Sequence, residues 1–313
     1  MVTTFFIVEL LGMVGWRRSF LPEPPCLTAQ PRYDSADNMF GMVKKYRRKR
    51  LLERSIPDSW IDAVTVNLPI FPLLCDEEAR AFLAHLKILM WEKLWVGAKG
   101  FELDETTKVI IAAQAARMAR GLPLSVYDRH SEFVIYGEDF FHPKDDLPGP
   151  LHGEAHHFGT VVLSWPAVEE SLCYPCNGYN PILHEMAHIL DMSSGYFNGT
   201  PLLHHGRDYE PWAGVCQHYF TAMRERPEES FLDLYGAGDE SEFFAVATEA
   251  FFELPDLVAD EAPDLFAEFR RYYRVDPEII PCDCETHEWP EGEVEEVGYP
   301  LIPPPDPMDN IFF

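Results

Sequence analysis

Two histidines and one glutamate stand within five residues of the segment NPILHEMAHILD, which runs from Asn180 to Asp191. In a helix, His184 and His188 lie on the same face, so both imidazoles can reach one Zn²⁺ ion. Glu185 lies beside the first histidine, where its carboxylate can take a proton from a water that the ion activates. This HExxH arrangement is typical of enzymes that hydrolyse amides, and its uncharged neighbours indicate a buried helix. A core helix with two hydrogen-bonded histidines is the alternative.

A catalytic zinc site needs a third protein ligand and an open fourth position. The extended pattern HExxHxxGxxH is absent, because Asp191 and Ser194 stand where its glycine and third histidine would be. His204 and His205 follow in a polar loop, where we expect surface side chains. Asp191 lies one turn beyond His188 and is a natural hydrogen-bond acceptor for a ligand imidazole.

Two glutamates of a later segment are stronger candidates for the third ligand. Glu242 and Glu249 are seven residues apart, which places them on nearly the same face of a helix. If Asp239 caps that helix, Glu242 also occupies the glutamate position of a capping box. Spacing alone does not separate the capping role of Glu242 from a ligand role.

The elements that would position these residues follow from hydrophobic periodicity, caps and β-branched runs. Gly121 is predicted to cap one helix at its C-terminus, Asp239 to begin another, and Pro255 to end it. The basic segment that begins at Met39 is predicted to be a solvated helical arm. The sequence predicts an α+β, helix-dominated, zincin-like metallopeptidase domain with a small β-sheet. The other predicted helices span residues 76–95, 108–122, 210–225 and 263–273, and the predicted strands span 132–137 and 160–165.

Charge and apolar content restrict the class of protein. The chain has 52 Asp and Glu residues against 25 Lys and Arg residues, which gives a net charge of −27. Such an acidic protein repels nucleic acid and anionic membranes, so we expect neither as a partner. The apolar stretch near the start is too short to span a membrane, and its cationic residues follow it, unlike those of a secretory signal.

Seven cysteines in a chain of 313 residues predict reduced thiols and a cytoplasmic protein. Cys173 and Cys176 form a CxxC pair, and Cys282, Cys284 and His287 form a small cluster. A zinc ribbon needs a second pair with matching spacing, which neither group has. We therefore expect neither group to bind zinc.

The amino-acid composition along the chain predicts three parts. Residues 1–38 are predicted to be a weakly structured extension, and residues 39–276 the metallopeptidase domain. Residues 277–313 are predicted to be an acidic, proline-rich tail, since no Lys or Arg follows Arg274.

Several segments together resemble the Mlc titration factor A family of zinc-dependent peptidases. The resemblance extends from about Met39 to Pro277. The segments are GFELDETTKVIIAAQAA, FVIYGEDF, GTVVLSWPAVEES, NGYNPILHEMAHILD and LYGAGDESEFFAVATEAFFELPDLVADEAPDLFAEFRRYYRVDP.

The resemblance implies a specific set of site residues. It implies that His184, His188 and Glu242 bind Zn²⁺ and that Glu185 is the general base. The family's active site is similar to that of anthrax lethal factor, which implies that Tyr235 helps to stabilise the transition state. A structural tyrosine in a glycine-rich turn is the alternative for Tyr235.

The resemblance also implies partners. Family members are aminopeptidase-like and bind a transcriptional repressor of sugar uptake, so we expect a peptide or protein substrate and allow for a repressor partner. The rival hypothesis is a non-catalytic regulatory protein that sequesters a transcriptional repressor. An intact Glu185 and an open fourth ligand position favour the enzyme, because a structural zinc site is closed and needs no base.

Overall fold

The computed structural model describes residues 39–139, 153–155, 159–174 and 176–277. The predicted N-terminal extension, the predicted tail beyond residue 277, and the cluster of Cys282, Cys284 and His287 lie outside the described residues. The helices are α1 (Met39–Leu52), α2 (Asp58–Asn67), α3 (Asp76–Glu92), α4 (Glu105–Ala119), α5 (Trp165–Cys173), α6 (Pro181–Asp191), α7 (Tyr209–Glu225), α8 (Glu240–Glu253), α9 (Pro255–Glu261) and α10 (Pro263–Tyr273). The strands are β1 (Leu94–Gly97), β2 (Glu132–Tyr136), β3 (Gly153–Ala155) and β4 (Thr160–Ser164).

The four strands form one sheet in the order β1-β2-β4-β3. Strands β1, β2 and β4 are parallel, and β3 joins the edge of β4 in the antiparallel direction. Phe133 and Ile135 of β2 and Val161 and Leu163 of β4 are fully buried. These side chains belong to the same apolar core as helices α4, α6 and α8. The predicted α+β, helix-dominated architecture with a small sheet is therefore confirmed.

The first strand corrects the helix predicted for residues 76–95, because α3 ends at Glu92 and Leu94–Gly97 forms β1. Leu94 and Trp95 continue the apolar spacing of the helix, but the backbone of Leu94 pairs with that of Glu132 instead. The end of α4 also differs from the prediction. Arg120 caps α4 in the right-handed conformation, so Gly121 is not a left-handed cap. A Cβ on Gly121 would lie 2.7 Å from the carbonyl oxygen of Arg274, so glycine is needed there for close packing.

Helix α1 is more firmly attached than the predicted solvated arm. Its Arg48 is buried and pairs with Glu92 at 2.8 Å and Asp128 at 2.7 Å. The Arg48 guanidinium also donates to the carbonyl oxygen of Leu124 at 2.8 Å. These contacts fasten α1 to the domain while most of its other cationic side chains stay exposed.

Among the described cysteines, one departs from the prediction. Cys176 is disulfide-bonded, contrary to the expectation of reduced thiols, whereas Cys173 is free and exposed. The two residues of the CxxC segment are therefore not paired with each other. Among the described residues, no helix is long and apolar enough to cross a membrane.

Candidate metal centre

The start and the burial of helix α6 determine where its two histidines lie. Asn180 caps the helix: its side-chain oxygen accepts a hydrogen bond from the backbone N–H of Leu183 at 3.1 Å. Pro181 occupies the first helical position, where its missing N–H costs nothing. All but one of the residues of α6 are buried, which fixes the rotation of the helix about its axis. The side chains of His184 and His188 therefore point toward α8.

Helix α8 brings the third side chain to the histidines. The Asp239 carboxylate accepts hydrogen bonds from the backbone N–H groups of Ser241 at 2.9 Å and Glu242 at 3.0 Å, as expected for an N-cap. The carboxylate of Glu242 instead contacts His184 and His188. The side chain of Glu242 thus turns to the histidines rather than back to the start of its helix.

Three potential ligand atoms converge between the two helices. The Oε2 atom of Glu242 lies 3.0 Å from Nε2 of His184 and 3.5 Å from Nε2 of His188. One ligand atom from each of these three residues lies within 4.8 Å of the others. Two ligands of one tetrahedral Zn²⁺, each about 2.0–2.1 Å from the ion, lie about 3.3 Å apart. The donor set and its spacing therefore fit a zinc ion.

The Nδ1 atom of each histidine, on the side of the ring away from the site, has a hydrogen-bond partner. Nδ1 of His184 contacts Oε1 of Glu249 at 2.7 Å, and Nδ1 of His188 contacts Oγ of Ser241 at 3.0 Å. Because an ionised carboxylate only accepts, Nδ1 of His184 donates to Glu249, and its Nε2 atom faces the site. The predicted position of Glu249 on the same helix face as Glu242 thus brings it to the far side of His184. Asp191 reaches His188 through Ser241 rather than directly.

The electrostatics of the cluster favour a positive charge among these groups. Burial lowers the pKa of His184, but the carboxylates of Glu249 and Glu242 more than offset it, and the pKa ends well above its usual value. Burial likewise raises the pKa of Glu242, but hydrogen bonds from the two histidines outweigh it, and the pKa falls. The site thus favours positive charge at His184 and negative charge on Glu242, so a metal ion that binds there must displace a proton from His184.

Glu185 is a buried carboxylate next to His184 in the sequence. The residue is 5% exposed, and its Oε2 atom has no hydrogen-bond partner among the described residues. Burial raises the pKa of this carboxyl to about 7, although His184 and His188 partly oppose the shift. A Cβ on Gly153 would lie 2.6 Å from Cγ of Glu185, so the edge strand β3 passes directly beside this side chain. An unpaired carboxylate next to a metal-binding cluster can accept and return a proton.

Two aromatic side chains flank the histidines. The ring of Tyr235 lies 5.7 Å from that of His184, and the ring of Phe197 lies 6.1 Å from that of His188. Tyr235 stands in the short helical turn Leu234–Ala237 and is 37% exposed.

The two later histidines lie apart from the cluster. His204 donates from Nε2 to the carbonyl oxygen of Tyr272 at 2.7 Å and stacks on that ring. His205 is exposed, as expected. Neither belongs to the group of possible metal ligands among the described residues.

A buried polar network behind Glu249 was missed in the sequence. Arg117 donates to Oε1 of Glu253 at 2.7 Å, and Nδ2 of Asn180 donates to the same oxygen at 3.2 Å. The backbone N–H of Asn180 donates to Oε2 of Glu249 at 2.6 Å. Only Asn180 carried a local signal, because it precedes the proline at the helix start. The network holds Glu249 against His184.

The amino-acid sequence matches known proteins over the same part of the chain. A protein of Pectobacterium atrosepticum named Mlc titration factor A is 30% identical over 231 residues, which cover 68% of this chain and 84% of the relative. The Mlc titration factor A of Edwardsiella ictaluri is 29% identical over 233 residues, covering 70% and 87%. An uncharacterized protein of Synechocystis is 28% identical over 250 residues, covering 76% and 90%.

A family model matches most of the predicted domain. The model of the glucose-regulated metallo-peptidase M90 family matches residues 43–274. The resemblance to Mlc titration factor A is thereby confirmed, and a metal ion is implied by the family's description. The chain belongs to the glucose-regulated metallo-peptidase M90 family.

Proposed function

We propose that the chain is a zinc-dependent peptidase that hydrolyses peptide bonds, with His184, His188 and Glu242 as zinc ligands. The observation that supports this most strongly is Glu185, a buried carboxylate with an unpaired oxygen beside the three potential ligands. A purely structural zinc site would gain nothing from such a group, since burying an unpaired carboxylate is costly. A hydrolase uses it as a general base.

The protein side chains divide the chemistry among them. When bound, zinc supplies Lewis acidity toward a water molecule and toward the scissile carbonyl. Glu185 accepts the proton of the attacking water at its free carboxylate oxygen and then returns it to the leaving amine. Glu249 and Ser241 keep both imidazoles turned so that Nε2 faces the site. The hydroxyl of Tyr235 donates a hydrogen bond to the oxyanion that develops on the substrate.

The substrate in this proposal is an extended peptide. Among the described residues, strand β3 lies at one edge of the sheet, and Gly153 of this strand lies against Glu185. An extended chain that pairs with an exposed sheet edge gains backbone hydrogen bonds. Pairing along β3 would carry a peptide bond past the base. The family resemblance supports action on N-terminal residues, as an aminopeptidase.

The second candidate is a regulatory protein that binds a transcriptional repressor without cleaving it, with a possible role in sugar uptake. The name Mlc titration factor A, which several relatives carry, favours this candidate. The two roles are compatible in one protein, but the unpaired carboxylate of Glu185 has a use only in the enzyme.

The substitution Glu185→Gln tests the proposal, because it removes the base and leaves the three ligands in place. We expect the variant to bind zinc as the wild type does and to lose about 10²–10⁴-fold in turnover of peptides. The control is Glu170→Gln, at an exposed position of α5, which should change neither property. Cleavage by Glu185→Gln at the wild-type rate would refute the catalytic role. A wild type that cleaves no peptide but binds a repressor tightly would favour the second candidate.

A further inference from the structure

The carboxylate of Asp191 joins helix α6 to the loop that follows it. Its side chain is fully buried and accepts four hydrogen bonds. Three come from the backbone N–H groups of Asn198, Gly199 and Thr200, each at 2.9 Å, and one from the hydroxyl of Ser241 at 2.9 Å. An ionised carboxylate has about four acceptor sites, so these donors use its full capacity. Losing any of them leaves buried negative charge less well compensated.

The hydroxyl of Ser241 connects Asp191 to His188 through two hydrogen bonds. A hydroxyl has one proton, which Ser241 gives to Asp191. Its oxygen then accepts from Nδ1 of His188 at 3.0 Å. The direction of both hydrogen bonds is fixed, because the carboxylate at the end of the chain only accepts. His188 therefore carries its proton on Nδ1 and presents Nε2 to the site.

The loop packs closely against helices α7 and α8. Gly199 has φ of 68°, and a Cβ there would lie 2.8 Å from the carbonyl carbon of Glu240, at the start of α8. The indole N–H of Trp212 donates to the carbonyl oxygen of Gly199 at 3.1 Å. The neighbouring Phe197 places its ring 6.1 Å from the ring of His188. The loop thus forms a wall of the metal centre as well as a partner of Asp191.

We propose that Asp191 and Ser241 couple metal binding at His188 to the order of residues 198–200. Asp191 and Ser241 act as positioning residues, because they reach the ion only through His188. Metal binding fixes the imidazole, which holds Ser241 and Asp191 in the orientation that the loop N–H groups need. By reciprocity, an ordered loop raises metal affinity by the same factor. The inference rests on the proposed zinc site and extends it to the wall that a substrate side chain would meet.

Hydrogen exchange of the full chain tests the coupling without any substrate. We expect zinc to slow amide exchange of the peptide that contains residues 198–200 by about 10-fold in the wild type. Ser241→Ala should abolish this protection and weaken zinc binding about 10–100-fold. The matched control is Ser171→Ala, a buried serine that donates to the carbonyl oxygen of Val168 away from the site. Equal zinc affinity and equal protection in the two variants would overturn the proposal.

The reverse direction is tested from the loop, and this arm remains decisive if Ser241→Ala does not fold. Gly199→Ala forces the loop away from Glu240 but substitutes no side chain of the hydrogen-bonded relay. Reciprocity predicts about 10-fold weaker zinc binding in this variant. Gly214→Ala, where a Cβ has no neighbour within 4 Å, should bind zinc as the wild type does. Unchanged zinc affinity in Gly199→Ala would overturn the coupling.

Different measurements test the coupling and the proposed peptidase activity, so either proposal can be refuted without the other. Peptide turnover decides the activity, whereas zinc affinity and amide exchange decide the coupling. A wild type that binds zinc, protects residues 198–200 and cleaves no peptide supports the coupling and refutes the activity.

Discussion

The substitution Gly153→Ala should lower peptide turnover by displacing Glu185, the proposed base. The added Cβ would lie 2.6 Å from Cγ and 2.7 Å from Cδ of Glu185. Carbon atoms in contact prefer separations of about 3.5–4.0 Å, so the glutamate must move by about 1 Å. A misplacement of about 1 Å at a catalytic group can lower the rate about 100-fold. We therefore expect kcat/KM to fall about 100-fold.

The other properties of Gly153→Ala should stay near those of the wild type. A single side chain gives way, and the three proposed ligands keep their contacts, so zinc affinity and melting temperature should be preserved. The assay is turnover of an internally quenched peptide, alongside zinc content and thermal unfolding. The matched control is Gly214→Ala in α7, where a Cβ meets nothing within 4 Å. Wild-type kcat/KM in Gly153→Ala would refute the placement of β3 against the base, and loss of zinc would refute the claim that only the base moves.

Three further predictions test separate parts of the account. Glu242→Ala should lower zinc affinity by orders of magnitude in equilibrium dialysis, whereas Glu249→Ala should lower it about 10–100-fold; the reverse order would show that the ligand is misassigned. Tyr235→Phe should reduce kcat about 10²–10³-fold with zinc affinity unchanged, and an undiminished kcat would mean that the tyrosine is structural. Burial lowers the pKa of His85 from 6.5 to about 4. Between these two pH values the folded protein binds fewer protons than the unfolded chain. The free energy of unfolding therefore decreases as the pH falls from 6.5 to about 4. In urea unfolding between pH 7 and pH 4, His85→Gln should lose about 3 kcal/mol less than the wild type, whereas His218→Gln, at an exposed position, should behave as the wild type.

The sequence predicts the longer helices of the domain, because periodicity and caps are local signals, but it does not predict the shorter helices α2, α5 and α9. Asp239 begins α8 and Pro255 follows its end, as predicted. Strand β1 was missed because Leu94 and Trp95 continue the apolar spacing of α3. Strand β3 was missed because its three residues, Gly-Glu-Ala, have no β-branched or aromatic member. Strands of this kind are specified by their neighbours in the sheet rather than by their own composition.

The candidate site shows the same division between local and tertiary information. The HExxH spacing predicted that His184 and His188 share a face, and their rings lie 4.9 Å apart. The seven-residue spacing of Glu242 and Glu249 likewise predicted that they share a face. The role of Ser241 was not predictable, because it depends on contacts between residues 50 or more positions apart. A serine at the start of a helix is ordinarily a capping residue, and nothing local distinguishes this one.

The titration of metal-free full chain with zinc, followed by peptide turnover, tests the central claim most directly. If His184, His188 and Glu242 form one catalytic zinc site, turnover should be absent without zinc and should rise linearly until one equivalent is bound. The same titration of Glu242→Ala should give no turnover at one equivalent. Full turnover by the metal-free chain, or none by a wild type that holds one equivalent of zinc, would contradict the account.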